Sequence, residues 1–203
     1  MNARRLAAAW AVVLCCTCAA PVRALESAAA LVREMAAGRA EAHLRYSMPS
    51  AAGAPRTVHA LLALELPERA RMDVTSTGEK LVARPDGGEW LQPELHQMLR
   101  FKPHQAAAAL RWWKVLMGDD SAARERRTGP NTYVVTLLGA GGAPADSAEV
   151  TLGSRGLPLR LATPAGSRDA QVYRLEGWRF MRARGPAAFQ LKAPPGVEVV
   201  TLP

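Results

Sequence analysis

Lys80-Leu81-Val82-Ala83-Arg84-Pro85-Asp86-Gly87-Gly88-Glu89-Trp90-Leu91-Gln92 sets two short apolar runs on either side of a Pro-Asp-Gly-Gly connection. Glycine supplies the positive φ that tight hairpin turns require, so the stretch reads as strand, turn, strand. Working outward, the same pattern recurs. Before it lie runs at 43–46, 58–66 and 71–75. In the second of these, Val58, Ala60, Leu62, Leu64 and Leu66 alternate with His59, Leu61, Ala63 and Glu65, the period-two pattern of a strand. After it come runs at 94–101, 132–138, 148–152, 157–163, 170–175, 188–192 and 197–201. They are separated by the turn chemistry of 49–53, 139–144, 154–156 and 164–167.

Two segments break the strand period. Ser27 followed by 28–37 and a glycine at 38 has a capping residue, good helix formers and a stop. Residues 105–117 place Ala106, Ala109, Leu110, Trp113 and Met117 on one helical stripe, widened by Trp112, Val115 and Leu116. About ten or eleven strands at hairpin spacing predict a mainly β, α+β domain built on a meandering antiparallel sheet. Two helices cannot cover both faces of such a sheet. It must curl, with its apolar face inward and the helices across the opening.

The first 24 residues read as an export signal. Arg4 and Arg5 precede an apolar run at 6–20 that is too short to span a bilayer, and Val22-Arg23-Ala24 offers a cleavage site. All three cysteines, Cys15, Cys16 and Cys18, fall inside it, so cleavage after Ala24 predicts a cysteine-free periplasmic domain over 25–203. The alternative is a lipoprotein signal that retains Cys16 or Cys18 as an acylated first residue. Loss of the signal removes three arginines and no acids, taking the formal charge from +8 to +5. A basic exported domain suits lipid headgroups or an acidic protein better than nucleic acid. After Ala24 no apolar stretch approaches the roughly 18 residues of a membrane span, so a soluble single domain is expected.

Chemistry finds little to hold on to. His43, His59, His96 and His104 show no metal-ligand spacing, and Asp119-Asp120 sits where a helix ends, the usual place for a solvated turn. No nucleophile elbow, phosphate loop or zinc-helix motif is present. No catalytic residue, metal or cofactor is therefore nominated, although a secreted hydrolase stays open as a third reading. Arg124, Arg126 and Arg127 read as a basic loop, and Arg179, Arg182 and Arg184 cluster after Trp178; both are either solvated charge or a docking site for anions. Met72, Trp90, Met98, Trp112, Trp113, Met117, Trp178 and Met181 suit either an ordinary core or a cavity for flexible hydrocarbon.

Several motifs resemble the periplasmic outer-membrane lipoprotein carriers, the LolA family. They are Gly156-Leu157-Pro158 leading a strand, Tyr173 and Leu175 in the next, and Phe189-Gln190-Leu191-Lys192-Ala193-Pro194-Pro195-Gly196-Val197-Glu198-Val199-Val200 at the end. The opening hairpin extended to Met98 resembles the family's strand, Asp-Gly turn and aromatic strand. The resemblance implies an unclosed half-barrel with a helical lid, acting as a monomer. It also implies an acylated lipoprotein or lipid cargo, an inner-membrane donor and an outer-membrane acceptor. Two departures stand out: Leu66 precedes Pro67 where carriers have a lid-holding arginine, and Leu44-Arg45-Tyr46 replaces a Phe-x-Gln pattern. Related half-barrels also sense lipids or restrain signalling proteins, the second reading. Burying a methylene is worth about 0.8 kcal/mol, so a sixteen-carbon chain resists water by ~12 kcal/mol and needs a slack apolar interior to travel in. Leu62, Leu64, Met72, Trp90, Met98 and Val150 are expected to line it, with Leu110, Trp113 and Met117 on a movable helix.

Overall fold

The computed structural model describes residues 25–48, 55–119 and 121–203. The signal reading of 1–24 with its cysteines, the turn at 49–53 and the second aspartate of the acid pair lie outside them. Helix α1 (Glu26–Glu34) tightens into a 3-10 turn at Met35–Ala37 and stops at Gly38, whose left-handed φ of 102° suits a residue without Cβ. Six strands follow: β1 (Gly38–Met48), β2 (Arg56–Glu65), β3 (Arg69–Val74), β4 (Lys80–Arg84), β5 (Gly87–Gln92) and β6 (Gln97–Phe101). Helix α2 (Pro103–Leu116) interrupts them. Then come β7 (Ala123–Gly129), β8 (Thr132–Leu138), β9 (Pro144–Leu152), β10 (Pro158–Thr163), β11 (Gln171–Arg182) and β12 (Glu198–Thr201).

All twelve form one sheet in the order β12-β6-β5-β4-β3-β2-β1-β11-β10-β9-β8-β7. Every neighbouring pair is antiparallel except β12, which returns alongside β6 in parallel. The sheet ends at β12 and β7 and does not close, giving the mainly β, α+β half-barrel. Its inward face is continuous across strands because antiparallel register keeps cross-strand partners on one side. Ala42, Leu62, Met72, Leu81, Trp90 and Leu99 form one such row. Tyr46, Tyr173, Leu161, Val150 and Tyr133 form another on the far side of β1.

One glycine keeps the longest strand in phase. Between Glu41 and His43 of β1, β11 carries an extra residue, and Gly177 there has φ 66°. Such a bulge reverses the alternation. Tyr173 and Leu175 before it, and Trp178 and Phe180 after it, therefore all pack against the same core.

Three sequence expectations need correction. The basic loop at 124–127 is strand β7: Val135 and Tyr133 of β8 pair with Glu125 and Arg127, so a polar edge strand is held by its neighbour and carries no hydrophobic period of its own. Its arginines also blunt an open edge against further pairing. The expected strand at 188–192 is a 3-10 turn, Pro186–Phe189, followed by extended chain. Prolines 186, 194 and 195 lack the N–H donors a ladder needs. Lastly, β1 begins at Gly38, ahead of the expected run at 43–46, because residues 39–41 pair with both β2 and β11, and the buried Arg39 and Glu41 side chains neutralise each other.

Candidate functional site

The concave face is apolar, and both helices lie on it. Leu31 and Met35 of the α1 segment and Ala106, Leu110, Trp112, Val115, Leu116 and Met117 of α2 merge with Leu44, Leu62, Leu64, Val150, Leu161 and Leu175 of the sheet into one buried cluster. Burial of this size is the main force holding the helices down, since each large aliphatic side chain contributes about 1.5–3 kcal/mol.

Both helix N-termini have backbone donors taken up by side chains. The carboxylate of Glu125 on β7 accepts the N–H groups of Glu26 and Ser27 at 3.0 and 2.9 Å, capping α1 where its dipole is positive. At α2, Pro103 takes the first turn, where no donor is needed, and the Gln105 side chain accepts the Lys102 N–H at 2.9 Å.

Polar ties across α2 are few among the described residues, and partly exposed. Arg111 reaches Asp146 of β9 at 2.8 Å, and Lys114 reaches Glu68 in the β2–β3 turn and Asp119 after the helix, both at 3.3 Å. Burial pulls the Lys114 ammonium down, but the two carboxylates outweigh it and raise it above the ordinary lysine range. The hydroxyl of Ser121, with help from Lys114, holds Asp119 below the usual carboxylate range. Partly exposed pairs of this kind contribute on the order of 1 kcal/mol each, so packing rather than charge keeps α2 in place. Leu66, which precedes Pro67, is partly buried against the core. Glu68, two residues on, supplies one of the ionic contacts to the helix.

At one end α2 meets aromatic rings. Trp113 stands edge-on to Tyr173 at 5.8 Å, and Tyr173 lies 5.5 Å from Tyr46. Desolvation pushes both phenols above the ordinary tyrosine range, as expected of hydroxyls set in apolar surroundings. Trp112, fully in the core, has an indole N–H with no partner among the described residues.

The sequence-derived lining residues separate into groups. Leu62, Met72 and Trp90 share one concave row, Leu64 lies on the next, Val150 lies across β1, and Leu110, Trp113 and Met117 face them from α2. Met98 stands apart. It pairs with Leu91 while Trp90 pairs with Leu99, which sends Met98 to the convex face. Nor is the interior hollow. The space beneath α2 is filled by its own side chains, leaving a hollow of about 180 Å³ beside Lys114, Val115 and Leu137 and one of about 220 Å³ beside Trp113, Leu161 and Tyr173. Both fall below the roughly 300 Å³ of a small-ligand site.

A second feature escaped the sequence. On the convex face Phe189 is fully buried with the guanidinium groups of Arg39 and Arg69 over its ring at 5.6 and 5.9 Å. Arg71 and Arg84 donate to the carbonyls of Ala188 and Phe189, and Glu89 accepts the Leu191 N–H. The segment that sequence reading took for a strand is thus a strap. Charged residues in consecutive strands were its signal, readable only once register was known.

Among the described residues no cluster of three histidines, cysteines or acids could hold a metal, and no helix is long and apolar enough to cross a membrane. No family model and no curated protein matches the chain. Among solved structures, an uncharacterised conserved protein from Thermus thermophilus superposes with a TM-score of 0.51 at 11% identity, over 87% of this chain and 98% of that one. A LolA superfamily protein from Nitrosomonas europaea gives 0.47 at 8% identity, over 81% and 97%. A putative outer membrane lipoprotein-sorting protein domain from Vibrio parahaemolyticus gives 0.44 at 12%, over 81% and 94%. The likeness is one of fold: the chain is an open antiparallel half-barrel, and a LolA superfamily protein stands among its structural neighbours.

Proposed function

We propose that the chain is an exported, periplasmic carrier that shelters the acyl chains of a lipoprotein or similar amphiphile between α2 and the concave face. It would pass them from an inner-membrane donor to an outer-membrane acceptor without covalent chemistry. The supporting observation is that α2 covers a continuous apolar surface through packing and a few partly exposed ion pairs. An entering hydrocarbon chain can replace the Leu110, Trp112 and Met117 contacts like for like. With α2 displaced, the sheet offers the rows of Leu62, Met72 and Trp90 and of Val150, Leu161 and Tyr173. The unpartnered Trp112 N–H offers a donor to an ester carbonyl.

The filled interior favours a second reading, a half-barrel that binds a partner protein and regulates signalling with α2 closed. Native mass spectrometry of protein taken from its own periplasm separates the two. A copurified acylated species that transfers to acceptor membranes supports the carrier. Ligand-free protein in a stable complex with a membrane signalling protein, unable to release labelled lipoprotein from vesicles, overturns it.

A further inference from the structure

Three arginines and a histidine stand side by side on the convex face. Register places Arg160 of β10 opposite Arg174 of β11, Arg174 opposite Arg45 of β1, and Arg45 opposite His59 of β2. Strands lie about 4.8 Å apart, so the row runs about 14 Å across four adjacent strands. Like charges directly opposite each other destabilise a sheet, and here the arrangement occurs twice in succession between arginines. Glu149 pairs with Arg160, and Glu176 approaches Arg45 at 3.7 Å from an exposed position, whereas Arg174 makes no ion pair with any described residue.

The row borders a polar basin of about 510 Å³. Ser47 and Thr57 add hydroxyl donors, and no carboxylate lines it. Arginine forks on neighbouring strands can grip the tetrahedral oxygens of one phosphate from two sides, whereas a planar carboxylate takes one fork edge-on. The basin's lining is short of apolar anchors: Val172 is its one aliphatic side chain, and the Tyr46 ring is engaged with Tyr173. A protein partner would need such an anchor, and a headgroup layer does not.

We propose that the basin formed by Arg45, Arg160, Arg174 and His59 binds the phosphate of an anionic phospholipid headgroup and seats the convex face on a membrane surface. The inference stands on register and charge, independently of whether the concave face takes an acyl chain.

Cosedimentation of the purified protein with phosphatidylcholine vesicles, with and without phosphatidylglycerol, tests it. Binding is expected only with phosphatidylglycerol. It should weaken about five-fold in Arg174→Gln and about twenty-five-fold in Arg45→Gln/Arg174→Gln. Arg33→Gln, a charge-matched change on the exposed side of α1 across the sheet, should leave binding unaltered. Arg174→Gln should melt no lower than the unaltered protein, since it relieves repulsion. The proposal is overturned by equal binding to both vesicle types, or by Arg33→Gln weakening binding as much as Arg174→Gln. Displacement by inorganic phosphate at matched phosphate concentration, or tighter binding of a glutamate-rich peptide lost in the same variants, also overturns it.

Discussion

Glu65 of β2, fully buried, accepts the backbone N–H groups of Arg184 and Gly185 at 2.6 and 3.0 Å, so the chain leaving β11 hangs from one carboxylate. Arg69 neutralises that carboxylate at 2.9 Å and also covers Phe189. Two elements far apart in sequence, the β2–β3 turn and the C-terminal strap, are thereby made one unit.

Removing the charge at this point should loosen the strap. Breaking a buried pair by altering one partner typically costs about 3–5 kcal/mol, because the other charge is left without compensation. Glu65→Gln is expected to lose stability of that order in urea unfolding. Limited proteolysis should then cut within 184–197 first, while α2 stays protected.

The bulge at Gly177 makes a separate demand. Its φ of 66° is one that residues with a Cβ adopt at a cost of about 1–2 kcal/mol, and an added Cβ would lie 3.2 Å from the His43 ring. Gly177→Ala should lower the melting temperature and change the near-ultraviolet dichroism, since Trp178 and Phe180 stack at 6.5 Å immediately after the bulge. An unchanged melting temperature would show that the register can slip without penalty.

Packing beneath α2 sets the third expectation. Leu110 is 1% exposed, and truncation of such a leucine costs about 2–5 kcal/mol. Leu110→Ala should therefore unfold earlier and, if α2 is a lid, exchange its α2 amides faster and take up a fluorescent fatty-acid probe more quickly. Destabilisation with no gain in probe uptake would count against lid movement.

Acid should act through Asp119. Its folded pKa lies below the ordinary value, so its contribution is present above about pH 4 and fades as pH falls through the depressed folded pKa. Lys114 behaves oppositely: its raised pKa gives stability that is complete below the ordinary lysine pKa and lost as pH rises past the folded one. Urea midpoints measured from pH 2 to pH 5 should fall less steeply in Asp119→Ala than in the unaltered protein. Parallel curves would remove Asp119 from the acid response.

The sequence alone determined the elements whose periodicity is set by their own burial. The hairpin at 80–92 and the runs at 58–66 and 132–138 alternate because one face meets the core, and 105–117 repeats at helical spacing because α2 lies on that core; the structure has each within a few residues. Tertiary structure decided whatever depends on a neighbour. Strand β7 exists because β8 pairs with it, the 186–189 turn is held because Arg71 and Arg84 take up its carbonyls and Glu65 the two N–H groups just before it, and Met98 lies buried on the convex face because its register is counted from Leu91. The row of Arg45, Arg174 and Arg160 is scattered along the chain and meets only across strands. Alternation reports which residues share a face of one strand, but which strands lie side by side is fixed by long-range hydrogen bonding that no local pattern records.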